Sequence, residues 1–320
     1  MKAMALPHYG GADDLELREQ PEPSAGPGEF LIRVKAAGVN PADWKLGAGY
    51  LDGLMEAHFP LVPGWEVAGV IEARGLDATE FEVGDEVIGY IIKDWAQRGG
   101  YAELVSAPAR ALARKPASWE WRHAAGLPLP GLTAYQAIKR IDVGAGDTVL
   151  VHAAAGGVGS LGVQIAVARG ARVIGTAGER NHDFLRELGA TPVTYGEDLA
   201  ERVRRLVPEG IDAALDFYGG DAVAVSQQVL KDPARVASVV DFTAPEQGGH
   251  LVWARANAEE LTELTGLAES GKLSVTVNRS FPLEQAAEAW RAIQEEGRTR
   301  GRIVLDVDPD RGSPTAAQHE

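Results

Sequence analysis

The chain has 320 residues, enough for two core-bearing units, and its 45% apolar and 24% charged residues place it among ordinary globular proteins rather than disordered ones. Its 46 acidic against 31 basic residues give a formal net charge of −15, which repels a phosphate backbone and argues against a nucleic-acid partner. There is no cysteine, which excludes disulfides, thiol nucleophiles and thiolate metal sites and fits a reducing compartment.

The amino-terminal residues Met1–Pro7 lack the apolar run of a signal peptide, and no later apolar stretch approaches the roughly 18 residues of a membrane span. A cytoplasmic protein with no membrane partner is expected. From Leu31 to about Arg114, short β-type runs are separated by Gly and Pro: Phe30–Val34, Val67–Ile71, and Glu86–Tyr90 after the turn Val83-Gly84-Asp85. This half reads as a β-rich, barrel-like domain. Near Pro116 the texture changes, and a helix predicted over Leu132–Arg140 leads into strands alternating with helices. The strands are Thr148–His152, Arg172–Gly175, Pro192–Tyr195, Ala213–Phe217 and Val236–Val240. Apolar runs of this length suit strands buried on both faces, and their alternation with helices predicts a doubly wound parallel sheet. A helix over Glu259–Ser270 and a last strand over Gly301–Val307 follow, and the tail 309–320 is expected to be disordered.

Residues 154–159 read Ala-Ala-Gly-Gly-Val-Gly, with Ala154, Gly156 and Gly159 at the three small positions of a dinucleotide fingerprint. The motif follows a strand and opens a helix. Gly156 would admit the backbone close to a pyrophosphate, which the helix amino terminus attracts. Ala155, Gly156, Gly157 and Val158 are therefore cofactor-binding candidates. Past the second strand, where an acid would hold the ribose of NAD, the sequence is Gly175-Thr176-Ala177-Gly178-Glu179-Arg180. Arg180 suits a 2′-phosphate, whereas Glu179 keeps NAD open. Phe217 and Phe242, just after the fourth and fifth strands, fall where such folds turn loops toward a cofactor.

Several segments together resemble the quinone oxidoreductase branch of the medium-chain dehydrogenase/reductase superfamily, the branch of zeta-crystallin. They are Ala37–Asp43, Pro63–Gly69, Val83–Val87, Gly99–Glu103, Ala124–Ala134 and His152–Gly162. The resemblance spans nearly the whole chain. It implies an α/β protein in which a Rossmann domain (121–254) is inserted into a β-rich GroES-like substrate domain (1–120, completed by 255–308), usually as a homodimer. In zinc-bearing relatives a Cys and a His hold the catalytic metal; Asn40 stands near the first position here and Trp65 at the second. A zinc-free enzyme is implied.

The resemblance also assigns the 2′-phosphate neighbourhood of NADP-dependent members to the positions of Gly178, Arg180 and Tyr195, with Arg298 as a further basic residue, and so favours NADPH. It places Asn40, Asp43 and Thr133 around the nicotinamide and the substrate. Reduction of a quinone or enone puts negative charge on a carbonyl oxygen, for which Asn40 is the preferred hydrogen-bond donor. Asp43 also reads as a plain turn residue. Trp44, Tyr50, Trp95 and Phe242 could wall a planar acceptor. The expected activity is NADPH-dependent, zinc-independent hydride transfer to a quinone or other α,β-unsaturated carbonyl. The rivals are a polyketide- or fatty-acid-type enoyl reductase, an alcohol dehydrogenase, and a non-catalytic NADPH-binding protein of crystallin kind.

Overall fold

A computed structural model of the chain describes residues 1–296 and 300–308. Arg298 and the tail 309–320 lie outside the described residues. The chain divides into two units. The first is Met1–Pro128 together with the chain from Arg279 through the last helix and the final strand from Ile303; the second is Leu129–Asn278 with the short stretch ending at Arg302.

The first unit is built on a seven-stranded sheet. Six strands run in the order Val277–Pro282, Arg302–Asp306, Glu29–Val39, Glu66–Arg74, Glu86–Tyr90 and Leu112–Arg114, and Leu104–Pro108 pairs with the first half of Glu29–Val39. Phe30, Ile32 and Val34 alternate inward, while from Ala36 to Val39 both faces are closed and the residues are small up to Gly38. Along that closed stretch the last strand lies antiparallel, Ile303 opposite Val39 and Asp306 opposite Ala36. The carboxy-terminal segment thus completes a sheet that begins near residue 29.

The second unit carries a six-stranded, wholly parallel sheet in the order Ala190–Val193, Arg172–Thr176, Thr148–Val151, Ala213–Asp216, Val236–Ser238 and His250–Leu251. This is the Rossmann order. Connections leave the central pair Thr148–Val151 and Ala213–Asp216 in opposite directions, which makes the switch point at which such sheets bind ligands. Leu150, Ile174, Ala214 and Val236 pack with Leu199, Val203 and Val223 from the covering helices and with Val207 just past one of them. No helix among the described residues is long and apolar enough to cross a membrane.

Two boundaries differ from the sequence expectation, each for a packing reason. The helix Trp121–Ala125 lies on Glu29–Val39 and Glu66–Arg74, and Arg122 forks the carboxylate of Asp306 at 2.6 and 2.9 Å, so the first unit extends past residue 120 to Pro128. The helix Ala258–Glu269 turns to the second unit. Glu260 accepts from Lys139 and from Gln136, both at 2.8 Å, and the return to the first unit begins at Arg279 rather than 255. The helix expected from Leu132 starts earlier, at Pro128. Pro128 and Pro130 are tolerated because first-turn N–H groups have no intrahelical acceptor to lose.

Candidate active site

The dinucleotide turn is held from the second strand. Thr176 accepts the Ala154 N–H at its carbonyl (3.0 Å) and the Ala153 N–H at its hydroxyl (3.1 Å), while Ala153, at φ +51°, accepts the Gly156 N–H at 2.9 Å. Gly156 is the N-cap of the helix Gly157–Ala168, so the N–H groups of its first turn point out of the helix end. The three glycines have different physical roles. A Cβ on Gly159 would sit 2.1 Å from the Ala153 carbonyl oxygen, an impossible contact with backbone. A Cβ on Gly156 would meet only that same oxygen, at 3.3 Å. Gly159 is small so that the helix can approach the turn, whereas the open side of Gly156 faces no protein. That is the geometry a pyrophosphate needs.

Gly157 has a different neighbour, which spacing in the sequence did not reveal. A Cβ there would lie 2.9 Å from Nη1 of Arg302, and the Gly301 N–H donates to the Ala155 carbonyl at 3.0 Å. The buried guanidinium of Arg302 thus adds positive charge at the start of the phosphate-turn helix. Val158 is partly exposed on the first turn of the same helix. Ala155 is buried.

Past the second strand, Gly178 precedes a short turn, Glu179–Asn181, with Arg180 exposed. A Cβ on Gly178 would lie 3.7 Å from the half-exposed Tyr195 hydroxyl, so the structure brings these two predicted residues together. It adds His182, whose Nε2 lies between the Ala177 carbonyl (3.4 Å) and the Thr194 hydroxyl (3.5 Å), and Arg300, whose guanidinium covers the Phe184 ring at 5.1 Å. His182 did not stand out in the sequence. Arg298 lies outside the described residues. Thr133 is buried and donates its hydroxyl to the Leu129 carbonyl at 2.7 Å, which leaves only its lone pairs for another partner.

The carboxyl-end loops depend on Asp216, which has no exposed surface. Its Oδ1 accepts the N–H groups of Tyr218 and Gly219, both at 2.8 Å, and its Oδ2 accepts the Ser238 hydroxyl at 2.7 Å. Ser238 in turn accepts from Val240 and Asp241. One carboxylate therefore fixes the loops that carry both predicted aromatics. Phe242 is exposed, while the half-buried Phe217 ring lies against Gly162 on the phosphate-turn helix, 2.9 Å from where a Cβ would stand. Beside this network His152 is buried and 2.8 Å from the Ser226 hydroxyl. Ser226 donates its own hydrogen to the Ala222 carbonyl, so it accepts from His152, which carries its proton on Nε2. Burial pushes the imidazole pKa down to about 4, against the pull of Asp216 and Asp221.

In the first unit, Asn40 and Asp43 share one buried network. Asp43 Oδ2 accepts the Asn40 N–H at 2.7 Å and the Tyr101 hydroxyl at 2.9 Å, while the Asn40 side-chain amide donates to Glu66 Oε1 at 2.8 Å. Asp43 and Glu66 have no exposed surface and Asn40 almost none. Asp43 therefore sits beneath Asn40 and holds it, so it acts as a positioning residue. Glu66 was missed from sequence; its only local signal is its place after Trp65. The space for its carboxylate comes from Gly38, where a Cβ would stand 2.1 Å from Oε1. Burial, reinforced by these carboxylates, raises the pKa of Tyr90 and Tyr101, and both phenols stay protonated. Trp44 and Tyr50 meet edge to face at 5.9 Å, whereas Trp95 lines a cavity with Trp65. Among the described residues, no group of three or more His, Asp or Glu side chains is arranged to hold a metal.

Two predictions follow from this geometry. Gly156→Val will keep its melting temperature within a few degrees yet lose dinucleotide binding, whereas Gly159→Ala will destabilise the protein by about 3 kcal/mol through overpacking. Paired melting and cofactor titration distinguish the two, and a Gly156→Val protein with unchanged affinity would move the nucleotide elsewhere. The second concerns His152. Between pH 6.5 and 4 the unfolded chain takes up a proton at this imidazole and the folded chain does not, so stability falls on acidification through that window. Wild type will lose about 3 kcal/mol more than His152→Gln across it, measured by urea unfolding at each pH; parallel curves would refute the assignment.

Comparison with known proteins agrees with these features. Residues 26–117 match the alcohol dehydrogenase GroES-like domain family and residues 188–305 the zinc-binding dehydrogenase family. The chain is 31% identical over 315 residues to an NADPH-dependent alkenal/one oxidoreductase, chloroplastic, of Arabidopsis thaliana, covering 95% of this chain and 79% of that protein. Among solved structures, the quinone oxidoreductase from Coxiella burnetii is 33% identical with a TM-score of 0.85, covering 96% of this chain and 99% of that one. An NAD-dependent alcohol dehydrogenase is 31% identical with a TM-score of 0.86, covering 96% and 100%. With a β-rich GroES-like unit interrupted by a parallel Rossmann sheet and full-length likeness to such enzymes, the chain belongs to the medium-chain dehydrogenase/reductase superfamily, in its quinone oxidoreductase branch.

Proposed function

We propose that the protein is an NADPH-dependent, zinc-independent reductase of quinones or other α,β-unsaturated carbonyl compounds. The observation that carries the reading is the open dinucleotide turn at Gly156; separately, the first unit has an amide, Asn40, held by Glu66, near a position where zinc-bearing relatives have a ligand. Trp65 occupies the second ligand position, and an indole does not bind zinc. The Arabidopsis alkenal/one oxidoreductase and the Coxiella quinone oxidoreductase support this acceptor class, and the first supports NADPH. The NAD-dependent alcohol dehydrogenase represents the opposing reading.

The residues of the second unit fit a dinucleotide. The first-turn N–H groups and Arg302 would hold the pyrophosphate, and Gly178, Arg180 and Tyr195 the 2′-phosphate, with His182 and Arg300 adding nearby donors. Thr133, its hydrogen already donated to Leu129, would accept from a carboxamide N–H. When bound, the reduced nicotinamide supplies the hydride. The contribution of the first unit is electrostatic. Glu66 takes one amide hydrogen of Asn40 and so fixes the orientation of the other, the donor toward a carbonyl oxygen that becomes enolate-like. Asp43 locks the backbone of Asn40 from below. The proton that completes reduction comes from solvent.

The test is a panel of quinones, enones, acyl-thioesters and secondary alcohols with each nicotinamide cofactor, with and without strong chelator. Activity is expected with the first two classes, preferring NADPH and insensitive to chelation; loss of activity together with one bound zinc per chain would defeat zinc independence. Arg180→Ala should weaken NADPH by about 1.5 kcal/mol, roughly tenfold, and leave NADH nearly unchanged. Equal losses for both cofactors, or a wild-type preference for NADH, would return Glu179 as the ribose ligand.

A further inference from the structure

Asn40 is held from two sides, and both supports lead to one side chain, Tyr101. The phenol has no exposed surface. Its hydroxyl donates to Asp43 Oδ2 at 2.9 Å, the same oxygen that accepts the Asn40 N–H. Its ring lies against Gly64, where a Cβ would stand 2.3 Å from Cδ1, and Gly64 is two residues from Glu66, the acceptor of the Asn40 amide. Gly64 sits at φ +93°, a conformation other residues rarely adopt, so the chain entering Glu66 passes this ring only because residue 64 has no side chain. The backbone of Tyr101 is fixed as well. Its N–H donates to the Pro63 carbonyl at 3.0 Å, the Gly100 N–H donates to the Gly64 carbonyl at 2.7 Å, and the Met4 N–H donates to the Tyr101 carbonyl at 2.9 Å. Burial, and after it the Asp43 charge, raises the pKa of the phenol against the lowering effect of the buried Trp290 indole on the last helix, Ala286–Glu296. The proton therefore stays on the phenol, available to Asp43.

We infer that Tyr101 is a positioning residue for the proposed reduction, setting through Asp43 and the Gly64–Glu66 segment the direction in which Asn40 presents its second amide hydrogen; the assignment rests on the reductase reading above. Every link in this chain is a hydrogen bond or a packing contact within the first unit. Removing the hydroxyl leaves Asp43 Oδ2 with one donor fewer and loosens its hold on the Asn40 backbone. The Asn40 hydrogen matters most when charge develops on the acceptor's oxygen, so the loss falls on turnover rather than on binding. A residue that only filled the core would lower stability without turning one particular amide.

The test begins without cofactor. The chain has four asparagines, Asn40, Asn181, Asn257 and Asn278, so asparagine-selective nitrogen-15 labelling gives four pairs of side-chain amide signals, and Asn40→Ala identifies one of them. In Tyr101→Phe, which keeps the ring, the Asn40 pair will shift while the other three stay in place. In turnover, kcat for a quinone will fall roughly tenfold with KM changed by less than about twofold. In an Asn40→Ala background the same substitution will cost less than about twofold in kcat, because the two residues act as one unit. Should Tyr101→Phe not fold, Trp290→Phe, which keeps the phenol but removes the indole N–H beside it, will shift the same pair. An unmoved Asn40 pair in a folded variant, equal movement of all four pairs, or the same loss of kcat with and without Asn40 would each overturn the proposal. Asn40→Ala with full kcat, or no quinone reduction by wild type, would instead sink the donor role in the reductase reading, and the catalytic part of this proposal with it, even where the Asn40 signals move.

Discussion

A carboxylate removed from water must have its oxygens saturated by hydrogen bonds, because an unsatisfied buried charge costs more than the small net stability of a domain allows. Asp216 meets this condition with two main-chain N–H groups and the Ser238 hydroxyl, and in doing so fixes the loops at the carboxyl ends of two adjacent parallel strands. Ser238 extends the order one step further by accepting from Val240 and Asp241. Loop shape at the edge of the sheet is therefore set by burial of charge beneath it. The first unit also buries carboxylates beneath a polar group, with Asp43 Oδ2 and Glu66 ordering Asn40 from two sides and Gly38 making room for the second carboxylate.

Around the phosphate turn, what matters is where a side chain is absent. Gly159 and Gly162 are small on the protein side, letting the helix meet the turn and the Phe217 ring, whereas Gly156 is small on the open side. The glycines here thus divide into one, Gly156, that leaves open space and two, Gly159 and Gly162, that serve packing. The positive φ of Ala153 belongs to the same arrangement, since it turns the carbonyl of that residue back to the Gly156 N–H.

The distribution of charge is as informative as its sum. The acidic excess spreads over the chain, yet Arg302 lies at the first turn of the phosphate helix, Arg300 stacks on Phe184 beyond the second strand, and Arg98 borders the cavity that Trp65 and Trp95 line. Local cations in an acidic molecule attract small anions without making the surface attractive to polyanions. This fits a protein that handles a phosphorylated cofactor.

The sequence by itself determined the elements whose signal is local. Runs such as Thr148–Val151 declare buried parallel strands because three apolar residues follow Thr148 without a break, and the small residues at 154, 156 and 159 declare a tight strand-to-helix turn because strand and helix flank them within a few positions. The lack of thiolates, too, is a matter of composition. Tertiary structure alone decided that Arg302 reaches Gly157, that Glu66 rather than solvent holds Asn40, that Asp43 is buried beneath it, and that the helix Ala258–Glu269 joins the second unit through Glu260. Each of these joins residues far apart in the chain. Periodicity records which side of an element is apolar, but not which distant polar group will satisfy a charge once water has been excluded.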